Sequence, residues 1–272
     1  TYIGIKDNLL SFFGRANYTM MDKYLFTFTM RADGSSKFAK GNQWGYFPSG
    51  AVAWRIFDEP FMNNTKEWLS NLKVRASYGT SGNNRIPSGS MYTTYSVAGT
   101  SDKGIYFDET TAIVLKHGNV LSNPSLKWET TISRNAGIDF GFFNNRLSGA
   151  IDVYWNTTKD LLMKTTIASS SGYSYQYKNM GQTSNKGVEL QLDAIVVDAK
   201  DFGLNFNFNI SYNQAKIDKL PTNKIWQSSG WGGSLIAGID DFLIEEGGRL
   251  GEVYGYKLDG FYTTEDFTWD NG

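Results

Sequence analysis

Residues 24–33 read Y-L-F-T-F-T-M-R-A-D, ten residues in which Tyr24, Phe26, Phe28, Met30 and Ala32 take every second position. Between them fall Leu25, Thr27, Thr29, Arg31 and Asp33, mostly polar. Strand side chains alternate across the backbone, so this run has one oily face and one wet face. Its length suits a tilted strand crossing a bilayer, and the same alternation returns along most of the chain. The pattern predicts an all-β fold, an antiparallel transmembrane β-barrel wall with hydrocarbon on one side and water on the other.

Composition fits that expectation. Hydrophobic residues make up 40% and aromatics 15% of 272 residues, yet mean hydropathy is negative. A helical membrane protein needs apolar runs of about 18 residues or more. The uninterrupted stretches here are short, such as Ala194–Val197. In a barrel only alternate residues meet lipid, so average hydropathy stays low. A net charge of −1 gives no basic field to hold nucleic acid. The absence of cysteine removes disulfides, thiolate nucleophiles and Cys-ligated metals. The chain starts without Met or a leader pattern, and the expectation is an excerpt of a longer protein.

About eight strands follow from the alternation: Ser11–Thr19, Tyr24–Asp33, Phe47–Ile56, Leu72–Gly79, Lys127–Phe142, Arg146–Asp160, Gly187–Val197 and Gly203–Lys216. The connections alternate as well. Met20–Lys23, Asn144–Asn145 and Asp198–Asp201 are tight, whereas those after the second, fourth, sixth and eighth strands are longer. Asp58–Ser70 is of medium length, with a helical turn expected around Lys66–Leu69. Ser81–Leu126 and Met163–Asn185 are expected to be irregular, and Ile217–Gly272 to be loop with a short strand near Val253–Phe261. Short turns at one end and long loops at the other mark outer-membrane barrels. Soluble domains seldom carry structureless loops beyond about 12–15 residues. Tyr18, Tyr24, Trp54 and Phe140 fall near the short-turn end. Phe12, Tyr78, Trp128, Trp155 and Tyr212 fall near the long-loop end. Two aromatic girdles at two membrane surfaces would look like this. The competing reading places these rings in the core of a soluble sandwich.

Several motifs are similar to those of a known family. R-A-D-G-S-S-K-F (Arg31–Phe38), W-G-Y-F-P-S (Trp44–Ser49) and A-W-R-I (Ala53–Ile56) are followed by F-M (Phe61–Met62) and W-L-S-N-L-K-V-R-A-S-Y-G (Trp68–Gly79). Then come N-P-S-L-K-W-E-T-T (Asn123–Thr131), D-F-G-F-F-N-N-R-L (Asp139–Leu147), T-K-D-L-L (Thr158–Leu162), N-K-G-V-E-L (Asn185–Leu190) and Y-G-Y-K-L-D-G-F-Y (Tyr254–Tyr262). In this order and spacing the chain resembles the SusC/RagA family of TonB-linked outer-membrane proteins. The match thins across Asn84–Ser122 and Asp218–Glu246. Where the family usually has T-G-N, this chain has Ser81, Gly82 and Asn83.

The resemblance implies a barrel of roughly 22 strands enclosing an N-terminal plug, of which residues 1–272 would be one part, lacking the plug and the closing strands. It also implies import of oligosaccharides or peptides, energised through TonB acting on the plug, with a SusD-like surface lipoprotein over the long loops. An envelope of the Gram-negative, Bacteroidota type follows from the same likeness. A passive porin or adhesin, and a soluble carbohydrate-binding β-domain, are the alternatives.

Flat aromatic faces with directed hydrogen bonds suit sugars. Loop aromatics are candidate substrate contacts: Trp44, Tyr92, Tyr95, Tyr173, Tyr175, Tyr177, Trp226 and Trp231. Arg31, Arg75, Asn207 and Asn209 are the lumen-facing candidates. The plainer reading has the aromatics bracing loops or meeting the lid, and the Asn row wetting the pore. No catalytic residues or cofactor are expected: no G-x-S-x-G elbow, P-loop or H-E-x-x-H occurs. His117, the single histidine, is read as a surface residue without nearby partners. Asp240, Asp241, Glu245 and Glu246 offer the carboxylates a calcium ion takes, but the spacing is not that of an EF-hand and a solvated loop is the expectation.

Overall fold

The computed structural model describes residues 7–97, 115–222, 224–227, 241–255, 257 and 260–267. Eight long strands form one sheet: β1 (Leu9–Met20), β2 (Tyr24–Ser35), β3 (Trp44–Arg55), β4 (Leu69–Asn83), β5 (Glu129–Phe142), β6 (Leu147–Lys159), β7 (Gln182–Asp198) and β8 (Gly203–Lys219). Each pairs antiparallel with its neighbour in sequence, so the sheet is a simple meander. No helix among the described residues is long and apolar enough to cross a membrane.

The tight turns form where the backbone can turn left-handed. Met21 and Asp22 take φ of 52° and 55° between β1 and β2, and Asn144 and Asn145 take 56° and 59° between β5 and β6. Asn and Asp tolerate that region better than other non-glycine residues. Pro48 lies where its missing donor is harmless: β4 joins β3 only from the Ser49–Gly79 pair onward.

Register keeps the two faces apart. Phe28 lies beside Ala16 and Gly50, and Val153 beside Ala136 and Val188. The oily face is uncovered: Phe12, Phe28, Val52, Val153, Phe206 and Ile210 are all exposed. No second layer of protein buries them, so they do not form a sandwich core. An apolar sheet face of this extent is a lipid-facing surface. Its rings stack in pairs across strands, Phe12 on Trp44 with centroids 6.1 Å apart and Tyr24 on Trp54 at 6.2 Å.

Strands of such a wall tilt by about 40° and lie about 4.8 Å apart, so a row of paired residues shifts by roughly 3 Å along the barrel axis per strand. The direction is visible here. The row starting at Tyr24, the first residue of β2, runs through Trp54, Val74, Ile138, Ile151 and Leu190 to Ile210, well inside β8. Paired rows therefore climb towards the long-loop end from β1 to β8.

The buried hydrophobic cluster gathers where the loops meet the end of the wall. Phe38, Phe47, Ile86, Leu126 and Trp128 cluster at the long-loop end, flanked by Leu162 and Tyr177. The Trp128 indole N–H donates to the Gln43 carbonyl at 2.9 Å. Trp128 is therefore a loop-base core residue, not a girdle residue as expected; it precedes β5, where strand parity no longer governs its direction. Phe47 fits because Gly82 faces it, and a Cβ there would come 2.0 Å from the Phe47 ring.

Other expectations are corrected. The connector between β3 and β4 holds 3-10 turns at Ile56–Asp58 and Pro60–Thr65, before the helical turn expected at Lys66–Leu69; Leu69 already belongs to β4. The long connections are not structureless. Tyr95–Val97 pairs with Leu115–His117, and Leu162–Thr166, Tyr175–Asn179 and Val120–Leu121 form a three-stranded sheet. The strand expected near Val253–Phe261 is not formed among the described residues there. Lys224–Gln227 pairs instead with Phe242–Glu245, and Val253 makes a single bridge to Phe242.

Candidate functional site

The wet face of the wall carries an ordered polar lining. On β1 and β2, Arg15 Nε donates to Thr29 Oγ1 at 3.1 Å, and Arg31 Nε donates to both carboxylate oxygens of Asp33 at 2.9 and 2.7 Å. On β4–β6, Lys73 and Arg75 share Asp139 at 2.7 and 3.2 Å, and Arg75 Nη2 reaches Asp152 at 2.6 Å. Arg75 crosses an intervening strand to do so. Gly137 is the residue it passes over, and a Cβ there would stand 2.8 Å from the guanidinium carbon and 2.7 Å from Asp152 Oδ1. On β7 and β8, Asp193 accepts from Asn207 and Gln191, and Asn209 pairs with Gln191. Arg31, Arg75 and Asn207 thus face the wet side with their charge or amide already engaged, while Asn209 remains exposed.

The long-loop end is built from three connections tied together. Asn123 Nδ2 donates to the Tyr177 carbonyl at 2.8 Å, and its Oδ1 accepts the Ser125 N–H at 3.0 Å. Asn179 makes a two-way amide contact with Lys127, donating at 2.8 Å and accepting at 2.9 Å. The N-P-S-L-K-W segment is therefore a clasp between loops. Phe38, from the segment after β2, fills the same core. Burial pushes the Tyr177 hydroxyl up from the usual phenol range, and Tyr175 adds to that effect.

The loop aromatics divide into two sets. Tyr92 and Tyr95 are exposed. Tyr173 packs on His117 with ring centroids 4.5 Å apart, and Lys164 Nζ sits 3.7 Å over the Tyr175 ring. His117 accordingly has close neighbours, contrary to expectation; the long connections fold back on one another, which local sequence does not reveal. Tyr177 braces the core. Trp44 is not in a loop: it opens β3 and stacks on Phe12 on the lipid-facing side. The backbone of Trp226 stands in Lys224–Gln227, while its ring, Trp231 and Asp240 lie outside the described residues. Glu245 pairs with Lys224 at 3.2 Å, and Glu246 accepts the Leu220 N–H at 2.8 Å. Among the described residues no group of three or more His, Cys, Asp or Glu could hold a metal ion.

At the short-turn end, Glu59 of the β3–β4 connector accepts from the Tyr24 hydroxyl at 2.7 Å and the Trp54 indole at 3.0 Å, and pairs with Lys23 at 3.1 Å. Those groups, Tyr24 foremost, hold its carboxyl below the usual range. The contact pins the connector to the aromatic girdle. Sequence reading missed it, because no local pattern links residue 59 to residues 23 and 24.

An antiparallel meander with an uncovered oily face, a polar face and a loop-filled end is a segment of an outer-membrane β-barrel wall. The family description "TonB dependent receptor-like, beta-barrel" matches residues 1–272, and the chain belongs to that family. TonB-dependent receptor SusC of Bacteroides thetaiotaomicron is 34% identical over 282 residues, covering 100% of this chain and 26% of its own. TonB-dependent receptor P3 of Formosa agariphila is 36% identical over 260 residues, covering 95% and 25%. The solved structure of the RagAB peptide transporter superposes with a TM-score of 0.75 at 31% identity, over 89% of this chain and 25% of that one. The chain thus spans about a quarter of the length of the relatives it matches. The expected SusC/RagA likeness holds along it.

Proposed function

We propose that this chain is part of the wall and external mouth of an importer in the outer membrane of a Gram-negative, Bacteroidota-like cell. In this reading the polar face lines the pore, and the remaining strands and a plug domain lie outside these residues. TonB drives the plug, and a SusD-like lipoprotein closes over the loops. The cargo is an oligosaccharide or a peptide, the latter being what the RagAB transporter carries. The observation that carries the reading is the split at the loop end. Phe38, Leu126 and Trp128 are consumed in a loop-base core, whereas Tyr92 and Tyr95, in the connection after β4, stay exposed. Exposed aromatic faces of that kind suit sugar rings and peptide side chains alike. Arg31, Arg75, Asn207 and Asn209 line the path below, and Tyr173 and Tyr175 border it.

Uptake of labelled oligosaccharides and labelled peptides by cells making the full-length receptor tests this. Uptake of one class is expected to require the receptor and TonB together. Uptake that persists without TonB marks a passive pore and overturns the proposal.

A further inference from the structure

Two cations stand on the lipid-facing side of the wall. One paired row runs Tyr78–Arg134–Trp155–Lys186–Gln214 across β4 to β8. The Arg134 guanidinium lies 5.2 Å from the centroid of the Trp155 ring and 5.9 Å from that of Tyr78, and donates to Thr157 Oγ1 at 3.3 Å. Lys186 is exposed on the other side of Trp155. Among the described residues neither cation is within ion-pair distance of a carboxylate. The acid on this face near them, Asp218, is held by Ser184 and Gln182 at 2.8 and 3.0 Å. Lys159 and Lys216, further towards the loops, are exposed too.

Depth follows from the tilt of the wall. The same row includes Phe28, in the middle of the oily band of β2, and passes through Gly50 to Tyr78. At roughly 3 Å of climb per strand, Arg134 lies about 9 Å, Trp155 about 12 Å and Lys186 about 15 Å above that level. An oily band about 25 Å tall ends at about 12 Å from its middle. Arg134 therefore sits just inside the hydrocarbon, Trp155 at its edge and Lys186 just beyond. Below the cations the next rows are Ala136–Val153–Val188 and Ile138–Ile151–Leu190, an aliphatic track with no polar side chain.

We infer that Arg134 and Lys186, flanking Trp155 at the external girdle, bind the phosphorylated headgroup of a lipid whose acyl chains lie along this track. The inference rests on the outer-membrane reading above. Arginine offers a planar donor fork to phosphate oxygens, and lysine a point charge. A snorkelling arginine alone needs no second cation across a tryptophan, nor a smooth aliphatic track beneath.

The test is native mass spectrometry of the full-length receptor in detergent with added phosphatidic acid or phosphatidylcholine. Phosphatidic acid is expected to be retained in preference. The Arg134→Gln/Lys186→Gln variant is expected to lose roughly ten- to thirtyfold of that affinity, at about 1 kcal/mol per cation. Lys200→Gln, in the opposite turn, is expected to lose none. Heat-resistant electrophoretic migration of the double variant verifies that its barrel forms. Equal retention of the two lipids, or undiminished retention by the double variant, overturns the inference. Lipid retention is read without transport, so failure of the import proposal shows separately, as TonB-independent uptake by cells that still retain the lipid.

Discussion

Phe28→Arg probes the central physical claim, that alternate side chains of the wall meet hydrocarbon and water. Phe28 is 56% exposed on the oily face. In β2 it lies four residues from Tyr24, which stacks on Trp54, and four from Ala32, which pairs with Phe12, the ring stacked on Trp44. Four residues span about 13 Å along the strand and, at a tilt of about 40°, about 10 Å of depth. Phe28 thus lies near the midplane, where arginine on the lipid face costs about 2–4 kcal/mol. Thr27, one residue earlier, points to the wet side, where its hydroxyl donates to Asn17 Oδ1 at 2.9 Å. Thr27→Arg forfeits one exposed hydrogen bond, about 1 kcal/mol or less. Urea unfolding of the full-length receptor in lipid vesicles, followed by tryptophan fluorescence, measures both losses. Equal losses, or a larger one from Thr27→Arg, would refute the division of faces.

The remaining tests address the polar lining, a pinned connector and the loop core. Gly137→Ala should dislodge Arg75 from Asp152 and lower stability by about 1–3 kcal/mol. The same change in an Arg75→Gln background should cost much less, and an unchanged cost would show that the two do not meet. Because Glu59 has a lowered pKa, its contribution is present above the ordinary carboxylate value of about 4.3 and disappears as pH falls through its lowered folded value. Melting curves of the wild type and Glu59→Gln should therefore differ by a constant amount from about pH 7 to 5 and converge below about pH 4. A difference that grows on acidification contradicts the contact. Trp128→Ala should weaken the loop-base core by about 3–5 kcal/mol. Limited proteolysis should then cut within 84–128 and 160–181 while the wall stays intact, and loops as resistant as those of the wild type would show that Trp128 does not hold them.

Period-two alternation placed the eight wall strands, and most errors at their ends were extensions. β4 runs from Leu69 to Asn83 where Leu72–Gly79 was expected, and β7 starts at Gln182, not Gly187. At the loop end of these two strands the added residues, Thr80 to Asn83 and Gln182 to Lys186, are polar or glycine, and they pair at and beyond the edge of the oily band, where alternation has no lipid to answer to. The loop end was far less legible. Asn123 finds Tyr177, Lys127 finds Asn179, and Tyr173 finds His117, contacts across more than fifty residues that no local pattern carries. Trp128 was misplaced for the same reason. An aromatic just outside a strand looks like a girdle residue until the loops that cover it are known.

Depth was the other quantity that sequence could not supply. A residue's distance from a turn does not fix its height in the membrane, because tilt carries each paired row upward as it crosses the wall. Phe28 and Trp155 belong to one paired row, yet about 12 Å of depth separates them. The same geometry reconciles Arg134 with an oily face. Four residues further along β5 lies Ile138, in the row of Ile151 and Leu190, where a guanidinium would have no route to water. At Arg134 the climb brings Thr157 and the external surface within reach, so the charge is tolerated there.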